Sequence, residues 1–200
     1  DCAKMYAWAK EKGFHGGLSE PEFSACEYLK RLWRKAHPKT VRFWGDLATA
    51  FRNAVVYPNE TFEVGKLKFK RVKNYLFIKL PSGRCLCYLS PKVEDDGTLS
   101  FMGVSQFTKK FERIKTYSGK LAENVTSGFA RDVLFHRMPD IEQSGYPIVL
   151  RVHDELVCEC PDLPEYSSKK LAALMATPPT WCSDLPLSAA GFEAHRYRKD

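Results

Sequence analysis

Three ionisable residues, His153, Asp154 and Glu155, stand between two short apolar runs at 148–152 and 156–160. An imidazole titrates near neutral pH, and neighbouring carboxylates offer oxygen ligands to hard cations. Gly145-Tyr146-Pro147 opens this unit and Pro161-Asp162 closes it, so the pattern predicts a β-hairpin with the three polar residues at its tip. Ionisable groups do nothing to bury an apolar hairpin, so their position asks for a reason. The tip is either an ordinary polar turn or a place where two strands present carboxylates to a ligand. The surrounding chain has to decide.

Other residues compete for chemistry. Glu94-Asp95-Asp96-Gly97 pairs carboxylates, but an Asp-Gly sequence is first of all a turn. A metal-dependent nuclease built on Asp154 with Asp95 and Asp96 needs two separate loops to meet, and nothing in the sequence brings them together. The run from Lys109 to Tyr117 interleaves lysines with aromatics, and Lys120 follows it. This interleaving suits a phosphate backbone and equally suits a solvated charge run. The seven cysteines are odd in number. Cys85 and Cys87, like Cys158 and Cys160, are spaced to share one face of a strand. Structural zinc sites use wider ligand spacing and a turn, so zinc is not expected. Reduced core thiols in a cytoplasm-like compartment are.

The chain has 200 residues, 44% of them hydrophobic, enough for one good core. No stretch approaches the roughly 18 apolar residues of a membrane span, and no membrane partner is expected. The formal net charge of +7 favours a polyanionic partner, nucleic acid before membrane. The chain opens on Asp1-Cys2-Ala3-Lys4, with neither an initiator methionine nor a signal peptide, and reads as the interior of a longer protein.

The elements that must position these residues follow in order. Residues 2–12 read as a helix stopped by Gly13 and by Gly16-Gly17. Ser19-Glu20-Pro21-Glu22 is a capping box that starts a second helix. Phe23, Cys26, Leu29, Leu32 and Trp33 make its apolar face, and Lys30, Arg31, Arg34 and Lys35 its basic one. A third helix runs from Pro38 to Tyr57-Pro58. The period then changes to two, with short strands at 61–64, 67–72, 75–80, 84–89 and 99–105. A long helix follows from Ser118 or Gly119 to about Met138. After the hairpin, Asp162-Leu163-Pro164-Glu165 is read as the cap of a helix through Leu171, Leu174 and Met175, and the C-terminus as extended. The fold class is α+β: a helical section at 1–58, then a section at 59–200 of antiparallel hairpins with helices packed on them.

The order of these pieces resembles the C-terminal part of A-family DNA polymerases, most closely the phage and prophage branch. The resemblance is carried by Met102-Gly103-Val104-Ser105-Gln106, the stretch from Thr116 to Leu121, Glu123-Asn124, Ala130-Arg131-Asp132, the stretch from Gly145 to Val149, and Val152-His153-Asp154-Glu155. The C-terminal Leu185–Gly191 and Arg196-Tyr197-Arg198-Lys199 complete it. It implies that the hairpin tip is motif C of the palm, with Asp154 ligating the two catalytic magnesium ions, Glu155 supporting the site and His153 beside the primer terminus. It implies further that the long helix meets primer–template DNA through Tyr117, Lys120, Asn124, Ser127 and Arg131. Ser127 stands where a glutamine is common, and is too short to reach as far; Asn124 is the nearest substitute. Motif A, with the other metal-binding aspartate, and motif B, with its triphosphate-binding residues, are absent, so an N-terminal part is expected as partner. The implied activity is DNA-directed DNA polymerisation from deoxynucleoside triphosphates by the intact protein, in the cytoplasm of a bacterial host, with the fragment alone inactive. The alternative from another class is a non-catalytic basic nucleic-acid-binding module, as a split-polymerase subunit or a remnant.

Overall fold

The computed structural model describes residues 2–198. Asp1 and the Lys199 end of the C-terminal motif lie outside the described residues. Three helices come first: α1 (Cys2–Glu11), α2 (Glu20–Ala36) and α3 (Pro38–Val56). The capping box is present. The Glu22 carboxylate accepts hydrogen bonds from the Ser19 backbone N–H at 2.8 Å and from the Ser19 hydroxyl at 2.7 Å. The expected apolar face of α2 is not a core face. Leu29, Leu32 and Trp33 are 63%, 44% and 43% exposed, and α2 buries no residue. A period of 3.6 tells which residues share a face, but not whether anything covers it. Among the described residues, only Phe23 and Trp33 of this face find aromatic partners. Phe23 packs on Tyr6 with centroids 5.5 Å apart, and Trp33 stacks on His37 at 4.3 Å and Trp44 at 5.7 Å. By contrast α3 buries Leu47, Ala50, Phe51, Ala54 and Val55.

That buried face lies on a sheet of six antiparallel strands in sequence order: β1 (Thr61–Val64), β2 (Leu67–Val72), β3 (Tyr75–Lys79), β4 (Cys85–Val93), β5 (Leu99–Val104) and β6 (Phe111–Thr116). Leu67 and Phe69, then Leu76 and Ile78, alternate into the core, while Lys68, Lys70 and Lys79 stay exposed. The β4 strand outruns its expected end at Leu89. Ser90 takes φ 46°, the register with β5 breaks between Leu89 and Lys92, and pairing resumes at Lys92–Ser100. The basic and aromatic run at 109–117 supplies β6, paired with β5 from Val104–Phe111 to Leu99–Thr116.

Helix α4 (Ser118–Gln143) covers the sheet beside α3 with Leu121, Ala122 and Val125. It runs through Pro139, beyond the expected end near Met138. The added turn places Ile141 at zero exposure in a second core with Tyr146 and Leu156. Burial of such a side chain contributes about 1.5–3 kcal/mol, which offsets the ~3 kcal/mol that an interior helix proline costs. The second sheet is a hairpin of β7 (Ile148–Val152) and β8 (Glu155–Cys158). Helix α5 (Ser168–Met175) begins later than expected. Its cap is Ser167, whose hydroxyl accepts from the Lys170 N–H at 3.3 Å, and residues 162–166 form turns instead. Leu163 cannot seat inside the second core, where Tyr166 and Leu171 pack, and it stays 48% exposed. The C-terminal segment expected to be extended forms no strand among the described residues. It is tied back where the Glu193 carboxylate accepts from the Ser168 N–H at 2.6 Å.

One polar cluster locks α4 to the sheet. Asp132 is 8% exposed. Its carboxylate takes the Arg84 guanidinium and the Ser82 hydroxyl, each at 2.5 Å, and Arg84 also donates to the Gly128 carbonyl at 2.8 Å. Removing one partner of such a pair leaves the other unsatisfied. Because Arg84 keeps about a third of its side chain in solvent, Asp132→Ala is expected to cost about 2–3 kcal/mol rather than the full buried-pair penalty. For a chain of this size that lowers the melting temperature by roughly 4–12 °C. An unchanged transition by circular dichroism contradicts this role.

Candidate functional site

The hairpin tip is tighter than the sequence suggests. Val152 pairs with Glu155, so the loop is two residues, His153 and Asp154, and Glu155 is the first residue of β8. The three-residue tip is corrected to two because Glu155 completes the ladder. His153 has φ 53° and Asp154 has no positive φ, the pattern of a type II′ turn, which favours glycine at its first loop position. A histidine held there is strained by about 1–2 kcal/mol. Strain of this kind concentrates at functional sites. The tip is exposed at His153 and Asp154 and half-buried at Glu155. The Asp154 carboxylate has no hydrogen bond or ion pair among the described residues.

What holds the tip is below it. Tyr146 is 2% exposed and packs edge-on against Tyr166 with centroids 5.6 Å apart. Gly145 takes φ 86°, and a Cβ there would meet Tyr166 at 3.1 Å, so only glycine fits the corner that feeds β7. Val149 is the extra residue of a bulge in β7, where the register shifts between Ile148 and Leu150. Bulges of this kind re-aim a strand.

Helix α4 places the remaining candidates on two stretches. Tyr117 caps its N-terminus and is 68% exposed. Lys120, one turn in, pairs with Glu123 at 2.7 Å. Further along, Asn124, Ser127 and Arg131 line a groove of about 540 Å³. Its opposite wall is the β4 segment Cys85–Tyr88, which has no pairing with β5. The groove lies where β4 runs on beyond its last pair with β5, Leu89 with Met102. Within it the Asn124 amide donates to the Tyr88 hydroxyl at 3.0 Å. Burial pushes that hydroxyl above the usual tyrosine range, so it remains a neutral acceptor.

Two residues escaped the sequence reading. The Arg131 guanidinium lies 4.2 Å over the Phe135 ring and the Arg151 guanidinium 4.8 Å from the same ring. Through Phe135 the groove helix and β7 are joined, and two cations stand between the groove and the tip. The pairing of Arg131 with Phe135 at helical spacing was legible; Arg151 was not, because it comes from another element. Asp95 and Asp96 belong to the β4–β5 turn of the six-stranded sheet, where Asp96 accepts from the Thr98 N–H at 2.9 Å. Among the described residues no group of three His, Cys, Asp or Glu side chains is placed to hold a metal ion, so the nuclease arrangement does not form.

Comparison with known proteins gives one informative likeness. The chain is similar to a phage DNA polymerase. It is 36% identical over 189 residues to the DNA polymerase of Bacillus phage SP02, covering 92% of this chain. The chain spans about 28% of that polymerase's length. No family profile matches the chain, and no solved structure does. The phage polymerase thus resembles nearly the whole of this chain, groove and hairpin included. No helix among the described residues is long and apolar enough to cross a membrane.

The cysteine pairs sit in different sheets, Cys85 and Cys87 in β4 and Cys158 at the end of β8 with Cys160 just beyond. Burial, with Cys160 and Glu142 nearby, raises the Cys158 thiol to about 11. Cys158 is therefore almost wholly protonated near neutral pH, and its nucleophilic thiolate grows in only as the pH approaches that value. Its alkylation by iodoacetamide at pH 8 should lag well behind that of exposed Cys26 and rise as pH passes about 11, read by peptide mass spectrometry. Equal rates at pH 8 contradict the burial. For the tip, His153→Gly should leave the melting temperature nearly unchanged, since relieved strain offsets glycine's entropy. His153→Val should cost a further ~1–2 kcal/mol, because a β-branched residue resists positive φ. If both variants melt alike, the strained tip is refuted.

Proposed function

We propose that this chain is the C-terminal part of a DNA-directed DNA polymerase of the A family, phage or prophage type. Residues 1–58 are the end of the fingers, and 59–200 belong to the palm with an inserted sheet. The observation that carries this reading is the 36% identity to a phage DNA polymerase over 92% of the chain. The hairpin is then motif C. Asp154 is an uncommitted carboxylate on a tight turn, and magnesium takes such oxygen ligands. A two-residue turn held between paired strands aims it well. Glu155 stands beside it at the head of β8, and His153 faces the primer end. When bound, two magnesium ions supply activation of the 3′-hydroxyl and stabilisation of the leaving pyrophosphate.

The residues present fit part of that site. Asp154 and Glu155 offer oxygens, and the remaining carboxylate is the motif A aspartate of a missing N-terminal part. The hairpin itself supports a missing strand. A two-stranded sheet is marginal alone, and on β7 Val149 and Leu150 are 56% and 44% exposed beside an unpaired edge. In the groove, Arg131 and Ser127 meet the primer–template, with Tyr117 and Lys120 on the backbone at the head of α4. Deoxynucleoside triphosphates are the co-substrates, held mainly by the absent motif B, and the compartment is the bacterial cytoplasm.

The test is made on the 200-residue chain with a fluorescent primer–template. Binding should weaken linearly with log salt, and Arg131→Ala should weaken it and reduce the slope by about 0.9, one phosphate contact. Extension with magnesium and all four deoxynucleotides should stay at background. Extension by the chain alone contradicts the half-site, and salt-independent or absent binding contradicts the polymerase reading.

A further inference from the structure

The outer face of the six-stranded sheet meets the groove only at its β4 edge and takes no part in the tip. Its composition follows from the register. Lys68 pairs with Lys79, Lys70 with Phe77, and Phe77 in turn with Cys87. These residues therefore stand side by side on the face opposite α3 and α4. Tyr75 lies on the same face two residues before Phe77, and the two rings stack with centroids 6.1 Å apart at 28°. Tyr75 is 43% exposed. Lys68 is paired with Glu63 at 2.9 Å. Lys70 and Lys79 are exposed and have no ion pair among the described residues. A soluble sheet face needs no stacked aromatics flanked by free lysines.

We propose that this face is a platform for single-stranded nucleic acid. Tyr75 and Phe77 stack bases, and Lys70 and Lys79 hold the phosphates between them. Aromatic rings accept any base by stacking, and free ammonium groups at strand spacing follow a flexible backbone. A duplex does not suit the face, because its bases are already stacked on one another. The face is also continuous with the groove. Cys87 lines the groove and is the register neighbour of Phe77, so a strand leaving the groove across Cys87 comes directly onto the platform. The inference deepens the proposed function: the groove takes the paired region and the sheet takes an unpaired continuation.

The experiment measures fluorescence anisotropy of the full chain with two probes, a 20-nucleotide oligothymidine and a blunt duplex. Tyr75→Ala should weaken oligothymidine binding on the order of 5- to 150-fold, the loss of one stacked base, and Tyr75→Phe should retain it. Lys70→Ala with Lys79→Ala should lower the salt slope for that probe by about 1.4. Duplex binding should be unmoved by these variants and reduced by Arg131→Ala. Melting temperatures matching the parent exclude misfolding. Unchanged oligothymidine binding in Tyr75→Ala and in the double lysine variant overturns the platform and leaves the polymerase reading intact. Equal losses on both probes also overturn it. A chain that holds oligothymidine through Tyr75 but does not bind the duplex keeps the platform and sinks the polymerase reading.

Discussion

One helix belongs to both cores, and everything that could act on a substrate hangs from it. At its N-terminal half α4 buries Leu121 and Val125 against the sheet and α3. At its C-terminal end it buries Ile141 against Tyr146 and Leu156, with Leu134 and Met138 alongside. Its 26 residues make a rod about 39 Å long at 1.5 Å per residue. The rod sets the distance between the groove and the hairpin. The Asp132–Arg84 pair fixes how far the helix is rotated on the sheet, and so which residues look into the groove. The Arg131–Phe135–Arg151 stack then carries that rotation to β7.

The polar features divide by what they do for the fold. Asp132, Arg84 and Ser82 are satisfied by one another and hold elements together. Tyr88 and Asn124 likewise close a bond across the groove. Asp154 does neither: its carboxylate has no hydrogen bond or ion pair among the described residues and sits on a turn whose first residue is strained. Val149 and Leu150 on the open side of β7 add apolar surface that the chain does not cover. A strained turn, an unpaired carboxylate and an open strand edge within five residues of one another are unfavourable separately, and make sense together if another segment completes the sheet and the site.

Much of this was legible in the residues. The strands from Thr61 to Lys79 announce themselves by strict alternation and by turn residues such as Gly65 and Asn74, and their boundaries fall where those signals are. The hairpin was legible for the same reason, though its loop was read one residue too long, because Glu155 is polar yet pairs in the ladder. Three features were hidden because they depend on what lies opposite. The apolar stripe of α2 has a helical period, but only its ends find aromatic partners among the described residues, and Leu29 and Leu32 between them stay exposed. The run from Phe111 to Thr116 reads as charge until β5 is there to pair it. The groove lies between α4 and the part of β4 that runs on beyond its last pair with β5, a boundary no composition rule points to. The α4 groove residues were named from a resemblance; that Asn124, Ser127 and Arg131 line one cavity is a result of the packing.

The central claim is that Asp154 supplies half of a two-metal site. It is tested most directly in a chimera, with this chain replacing the matching stretch of the phage SP02 polymerase and primer extension followed in magnesium. Extension by the chimera, abolished by Asp154→Ala while primer–template affinity stays within about twofold, is the result expected if Asp154 ligates the catalytic metal and not the DNA. Extension by the Asp154→Ala chimera at a rate close to that of its parent would contradict it.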